Sequence, residues 1–249
     1  MSEVRVVGGI VPSLIVRQDD SSDGFLQHAG TIDLDLGISL ALADPSRSFD
    51  FIEPLRTAGF SQDTSGTTGR TTSRWRIDGP NGQRATVDFL VPAGPDDRPN
   101  AVMLGDGVSA FATPGLSLAF LDFEVVSIEG NTPFGDHAAE NIWVCGPGAF
   151  IVLKALAFGS RRFPKDAYDL YYVLRYFGRG VGDVTPRFAP LLGDHSGRQA
   201  VDILARDFTE PDDDGPRLVA EFLGDESSQD VRADVVGQIR SLLSQVGAI

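Results

Sequence analysis

The chain has 249 residues, of which 42% are hydrophobic and 22% charged, a composition that is ordinary for a soluble globular protein with a sizeable core. Acidic residues number 35 against 21 lysines and arginines, and the net charge of -14 argues against nucleic-acid binding through a broad basic surface. One cysteine excludes an internal disulfide framework, and no apolar run approaches the roughly 20 residues of a membrane-spanning helix. Because the start also lacks a basic and apolar leader, we expect a cytoplasmic protein that does not enter the membrane.

The chain opens with a strand pattern. The letters VRVVGG, residues 4–9, predict a short buried strand that ends in the pair Gly8 and Gly9. A short helix with Pro12 in its first turn is expected directly after this pair.

A second strand is predicted at residues 31–36, TIDLDL, where polar and apolar residues alternate strictly. Successive side chains of a strand point to opposite faces, so Thr31, Asp33 and Asp35 share one face. The intervening isoleucine and leucines share the other. We therefore expect a strand with one acidic face and one apolar face.

A helix that ends at Gly59 is expected in the stretch 49–60, and an antiparallel hairpin is expected at residues 72–92, whose second strand carries Asp88. A Gly- and Pro-rich loop is predicted from there to about residue 115. Further strands are predicted at residues 116–130 and 140–146.

From residue 147 onward the apolar spacing becomes helical. The sequence therefore predicts an α+β protein, in which a mixed sheet with flanking helices precedes a helical part. We expect two domains, residues 1–146 and 147–249.

The acidic residues of these strands suggest a metal site. Two carboxylates at positions i and i+2 of a strand point the same way, and crowding them is costly unless a cation lies between them. Asp88 has a similar apolar context on a strand that could pair with the first. Three converging carboxylates suit Mg²⁺ and the chemistry of phosphoryl or nucleotidyl transfer, so we predict magnesium at Asp33, Asp35 and Asp88.

The glycine pair adds a second element, because backbone amides at the end of a strand can approach a polyphosphate closely. Local basic clusters around Arg74 and around Lys165 are either phosphate-facing or simply solvated. His28 lies just before the acidic strand, and a loop histidine of this kind is expected to be exposed.

With these motifs the chain resembles the nucleotidyltransferase superfamily, and within it the AbiEii/AbiGii-type toxins of bacterial toxin–antitoxin systems. The resemblance covers residues 4–176 and rests on VVGG, HAGTIDLDL and VLKALAFGSRRFPKDAYDLYYVL. It implies that Gly8 and Gly9, with Thr31, bind a nucleoside triphosphate, ATP for example. It also implies functional roles for Lys154, Lys165 and Asp169 in the two helices of the last motif.

The residues of these helices are compatible with the resemblance. Lys154 lies in an otherwise apolar helix, where a buried ammonium needs an anion nearby, and either a phosphate or Asp169 could supply it. Asp166 and Asp169 are spaced i and i+3 and so share a helical face. The resemblance implies that Lys154 and Asp169 are catalytic and that Lys154 and Lys165 contact the nucleotide.

The resemblance implies a magnesium-dependent transfer of a nucleoside monophosphate from an NTP to an acceptor hydroxyl on tRNA or protein, with a cognate antitoxin as a partner. Two alternatives stay open. One is a nucleotide- or partner-binding module without turnover. The other is a nucleotidyltransferase that modifies small molecules of the antibiotic kind, to which the acidic composition is suited.

Overall fold

The computed structural model describes residues 3–17, 26–31, 33–39, 49–63, 73–79, 84–93, 101–105, 108–132 and 135–249. Within these residues the protein is α+β, with a mixed sheet of nine strands followed by C-terminal helices, as the sequence predicts. None of the helices described is long and apolar enough to cross a membrane.

The chain forms two compact units. The first comprises Met1–Val11 and Gly30–Cys145, and the second comprises Pro12–Ala29 and Gly146–Ile249. The stretch 12–29 is therefore grouped with the helices, whereas the division expected from the sequence assigns it to the first domain.

The first unit contains the sheet. Its strands are β1 (Val4–Val7), β2 (Asp33–Ile38), β3 (Ser61–Gln62), β4 (Arg74–Asp78), β5 (Arg84–Pro92), β6 (Ala101–Gly105), β7 (Val108–Thr113), β8 (Phe123–Asn131) and β9 (His137–Cys145). The spatial order is β3-β4-β5-β2-β1-β9-β8, with β7 paired to β5 and β6 paired to β7. β2 is antiparallel to β1 and parallel to β5.

Short helical segments alternate with the strands along the chain. A 3-10 turn, Gly8–Ile10, follows β1 and leads into α1 (Val11–Ile15); α2 (Phe49–Thr57) precedes β3, and a second 3-10 segment, Leu116–Phe120, precedes β8. The predicted first strand, glycine turn, short helix and β4–β5 hairpin are confirmed.

The apolar face of β2 is also confirmed. Leu34, Leu36 and Ile38 pack into a core cluster with Trp75 of β4 and Ile52 of α2. Burying this face places the alternate residues of β2, including both aspartates, on the opposite side of the sheet.

Two sequence expectations between residues 93 and 120 are wrong. The predicted loop contains β6 and β7, because β7 extends the sheet by parallel pairing with the end of β5, a long-range contact that local glycine and proline content conceals. The strand predicted at residues 116–130 does not begin at its first residue, because Leu116–Phe120 forms a 3-10 segment instead. Gly115, with φ of 77°, turns the chain there, and Leu116 and Leu118 are buried as a result.

The second unit is helical. Its helices are α3 (Pro147–Arg161), α4 (Pro164–Tyr176), α5 (Val181–Phe188), α6 (His195–Asp207), α7 (Asp214–Phe222) and α8 (Gln229–Gln245), with a 3-10 segment at Ala189–Gly193. α3 packs on α4, α5 and α6, and α7 packs on α4 and α8. Tyr168 and Tyr172 of α4 form a buried cluster with Val16, and Phe222 packs against it. The predicted C-terminal helices are thus confirmed.

Candidate functional site

Asp35 of β2 and Asp88 of β5 are neighbours in the sheet. The two strands are parallel, and their register pairs Asp35 with Asp88 and Asp33 with Thr86. Residues paired in this way present their side chains on the same face. The structure therefore brings the three predicted acids to one face of the sheet, opposite the apolar core.

Gly8 lies directly against Asp35. A Cβ atom added at Gly8 would lie 1.8 Å from Oδ2 of Asp35, and the φ angle of Gly8 is +75°, in the left-handed region. Both facts require glycine at this position. Gly9 belongs to the same 3-10 turn and is partly exposed.

Arg74 binds the carboxylate of Asp88 with two hydrogen bonds. The two residues are Cα partners in the β4–β5 hairpin, and Nε and Nη2 of Arg74 donate to Oδ1 and Oδ2 of Asp88 at 2.9 and 2.5 Å. The hydrogen bond to Asp88 raises the pKa of Arg74; burial opposes this rise, and the charges of Asp88, Asp33 and Asp35 add to it. Arg74 thus neutralises one of the three carboxylates on this face.

The hydroxyls beside Asp33 complete this cluster. Thr86 Oγ1 donates to Oδ1 of Asp33. Thr31 is partly exposed, and its Oγ1 accepts the backbone N–H of Asp33 at 3.3 Å. Thr31 therefore supports the start of β2.

The donor types at this face fit magnesium, a hard cation that prefers carboxylate oxygens and tolerates water in its remaining positions. In the part of the chain that the structure describes, no group of three His, Cys, Asp or Glu side chains is gathered closely enough to hold a metal ion. Asp33 is oriented toward Thr86 and Asp88 toward Arg74. The metal role of Asp33, Asp35 and Asp88 stays a prediction.

A second polar cluster lies inside the helical unit and centres on Lys154. Its Nζ donates to Oδ1 of Asp166 at 3.0 Å and to Oδ2 of Asp169 at 2.7 Å, and its side chain is 9% exposed. Burial opposes the charge on Lys154, but the two aspartates outweigh burial and raise its pKa. The sequence suggests either a phosphate or Asp169 as the anion beside Lys154, and in the structure the carboxylates of Asp166 and Asp169 bind it.

Asp169 is fully buried and accepts hydrogen bonds from three side chains. Lys165 Nζ lies 2.9 and 3.0 Å from its two oxygens, and His28 Nε2 lies 2.9 Å from Oδ1. Burial raises the pKa of Asp169, but the His28 hydrogen bond and the charges of Lys154 and Lys165 together lower it by more, to about 2. Asp166 is similarly buried, and Arg161 binds it with two hydrogen bonds.

The expectation that His28 is exposed is wrong. Its side chain is 0% exposed, it lies between Tyr168 and Tyr172, and its Nδ1 is 2.9 Å from Oγ of Ser13. Two hydrogen bonds and two aromatic contacts provide what a buried imidazole needs.

No protein-family model and no curated protein matches this chain. The resemblance to the nucleotidyltransferases therefore still rests on the motifs themselves.

Four residues of these two clusters were not assigned to the site from the sequence. Arg74 could have been found from the hairpin register, which places it opposite Asp88, and Thr86 from its position two residues before Asp88 on the same face. Ser13 and His28 have no comparable pattern, because 15 residues separate them and the contact with Asp169 spans 141 residues.

Proposed function

We propose that the protein is a nucleotidyltransferase that moves a nucleoside monophosphate from an NTP to an acceptor hydroxyl. The observation that carries this proposal is the in-register pairing of Asp35 with Asp88 on adjacent parallel strands, with the backbone of Gly8 against Asp35. Carboxylates and exposed backbone amides are the two kinds of group that bind a magnesium–triphosphate.

Asp33, Asp35 and Asp88 would hold magnesium, which would supply charge neutralisation at the phosphates. Gly8 and Gly9, in the 3-10 turn after β1, would offer backbone N–H groups to a phosphate. Arg74, whose side chain is 40% exposed, would exchange part of its contact with Asp88 for a phosphate oxygen when the nucleotide binds. Thr86 orients Asp33.

The structure supports a nucleotide contact by Lys154 less well than it supports magnesium binding at the acidic face. Lys154 is buried and bound to two aspartates, so a phosphate would have to displace one of them. Lys165, whose side chain is 34% exposed, reaches solvent more readily. The acceptor, whether tRNA, protein or a small molecule, and a cognate antitoxin remain part of the proposal.

A binding module without turnover is the second candidate. The bidentate contact between Arg74 and Asp88 favours it, since an arginine already neutralises one of the three carboxylates. Such a module would bind NTP through the same face without consuming it.

The test uses purified protein, magnesium, cell extract and each α- or γ-labelled NTP. Nucleotidyl transfer predicts that α-label reaches an acceptor and that Asp35→Asn abolishes the reaction. Asp78→Asn is the matched control, because Asp78 lies in the same hairpin, is 56% exposed and pairs with Arg84. NTP binding that needs Asp35 but yields no labelled acceptor would favour the binding module, and loss of both would overturn the site.

A further inference from the structure

Ser13, His28 and Asp169 form a continuous hydrogen-bonded chain within the helical unit. Ser13 Oγ lies 2.9 Å from Nδ1 of His28, and Nε2 of the same ring lies 2.9 Å from Oδ1 of Asp169. A hydroxyl, an imidazole and a carboxylate in this order form the arrangement by which a serine is activated as a nucleophile. The proposed magnesium site uses neither Ser13 nor His28.

The proton positions follow from the charge of Asp169. This carboxylate accepts from Lys154 and Lys165 as well as from His28, and it is therefore ionised and accepts only. Nε2 of a neutral His28 must then carry the ring proton, which leaves Nδ1 as an acceptor for the Ser13 hydroxyl. The base is thus set in the tautomer that can take a proton from Ser13.

The surroundings hold the ring in this orientation. Tyr168 stacks on His28 at a centroid distance of 5.5 Å and an interplanar angle of 17°, and Tyr172 contacts it at 4.9 Å. The Tyr168 hydroxyl also accepts the backbone N–H of Ala29 at 3.2 Å. The side chains of His28 and Asp169 are 0% exposed, whereas Ser13 is partly exposed, so Ser13 is the most accessible of the three residues.

We propose that Ser13 is a nucleophile toward phosphorus electrophiles, with His28 as its general base and Asp169 as the residue that positions His28. The Ser13 oxygen forms a bond to phosphorus, and the bond from phosphorus to the leaving group breaks with its electron pair on that group. The Ser13 proton passes to Nδ1 of His28 and then to the leaving group or to water.

The natural donor, an NTP whose leaving group is pyrophosphate or the nucleoside diphosphate, rests on the proposed function. The protein would then modify itself at Ser13. Activation of Ser13 does not depend on that donor and can be measured separately.

The experiment treats the full chain with a fluorophosphonate probe, from which Ser13 displaces fluoride, and maps the adduct by mass spectrometry. The expected result is an adduct at Ser13 that Ser13→Ala abolishes and that His28→Gln slows about 100-fold or more, as loss of a general base does. Glutamine retains a donor for Asp169 and an acceptor for Ser13 but takes no proton. Ser241→Ala, at an exposed serine of α8, is the control that should label like the unmodified chain.

Labelling of Ser13 in the unmodified chain tests the proposal even if a variant fails to fold. An unlabelled Ser13, or equal labelling in a folded His28→Gln, would overturn the proposal. A second arm supplies α- or γ-labelled NTP with magnesium, where α-label on Ser13 identifies a nucleotidyl donor and γ-label alone a phosphoryl donor. Failure of the proposed function appears differently, as a labelled Ser13 in the first arm with no transfer from NTP to any acceptor in the second.

Discussion

A Cβ atom at Gly8 would lie 1.8 Å from Oδ2 of Asp35, so only glycine lets the chain leave β1 beside this carboxylate. The relationship joins the glycine motif to the acidic strand through one contact. It also makes Gly8 a position where a side chain would disturb the proposed site directly.

Gly8→Ala is therefore expected to abolish nucleotidyl transfer, because Asp35 must move away from the added methyl group. Because the φ of Gly8 is left-handed, alanine there is also strained in the folded state, which should lower the free energy of unfolding by about 1–3 kcal/mol. Label transfer and urea denaturation measure the two effects. Gly182→Ala is the control, since Gly182 lies in α5 with open space around it and should be neutral or slightly stabilising. Full activity in Gly8→Ala would contradict the proposed site.

Arg74→Ala should increase the response of the protein to magnesium. The substitution leaves Asp33, Asp35 and Asp88 on one face without the guanidinium that now binds Asp88. Repulsion between the carboxylates then favours a bound cation, and we expect magnesium to bind on the order of tenfold more tightly, or ~1.4 kcal/mol.

The measurement for Arg74→Ala is the thermal midpoint during a magnesium titration, because a ligand that binds only the folded state raises it. Arg84→Ala is the matched control, as Arg84 lies in the same hairpin but pairs with Asp78. A magnesium response that is the same in both variants and in the unmodified chain would count against metal binding at this face.

Much of the acidic face could be predicted from the sequence, because alternation determines which side of a strand each residue occupies. Asp33 and Asp35 share a face for that reason, and a hairpin places Asp88 on a nearby strand. Their meeting depends on β2 pairing with β5 rather than with another strand, and a local pattern does not reveal long-range pairing. The same limit explains why β6 and β7 were expected to be a loop.

The helical cluster was predicted only in part. An ammonium in the apolar helix α3 indicated that Lys154 needs an anion, and the i, i+3 spacing placed Asp166 and Asp169 together. The sequence does not show that Asp166 and Asp169 are the anions that Lys154 needs, because their contact with Lys154 depends on the packing of α3 against α4. The burial of His28 depends on the approach of a distant segment to Tyr168 and Tyr172, for which the loop around it gives no pattern.

Lys154→Met tests whether this lysine serves stability or the nucleotide. Removing one partner of a buried ion pair leaves Asp166 and Asp169 undercompensated, so the free energy of unfolding should fall by about 3–5 kcal/mol. Lys165→Met, at a partly exposed lysine that contacts the same Asp169, should cost about 1 kcal/mol or less. Urea denaturation of both variants provides the comparison. A stable Lys154→Met protein that has lost NTP binding would instead support a direct contact between Lys154 and the phosphates.

Stability should fall in acid because of Asp169. Its pKa is lowered from 3.8 to about 2 in the folded protein, where burial is outweighed by His28, Lys154 and Lys165. A carboxylate with a lowered pKa stabilises the fold above its unfolded pKa, and this contribution is lost as the pH falls through the folded value. The window is therefore from about pH 4 to about pH 2, and the contribution is about 2 kcal/mol.

Urea denaturation at several pH values across this window measures the effect. Asp169→Asn should lower stability at neutral pH, because Lys154 and His28 lose a charged acceptor, and it should remove this part of the acid dependence. Asp202→Asn, at an exposed aspartate of α6, should leave the acid dependence unchanged. If Asp169→Asn kept the acid dependence of the unmodified chain, Asp169 would not be the ionised carboxylate that positions His28. The tautomer assigned to His28 as the base of Ser13 would then be wrong.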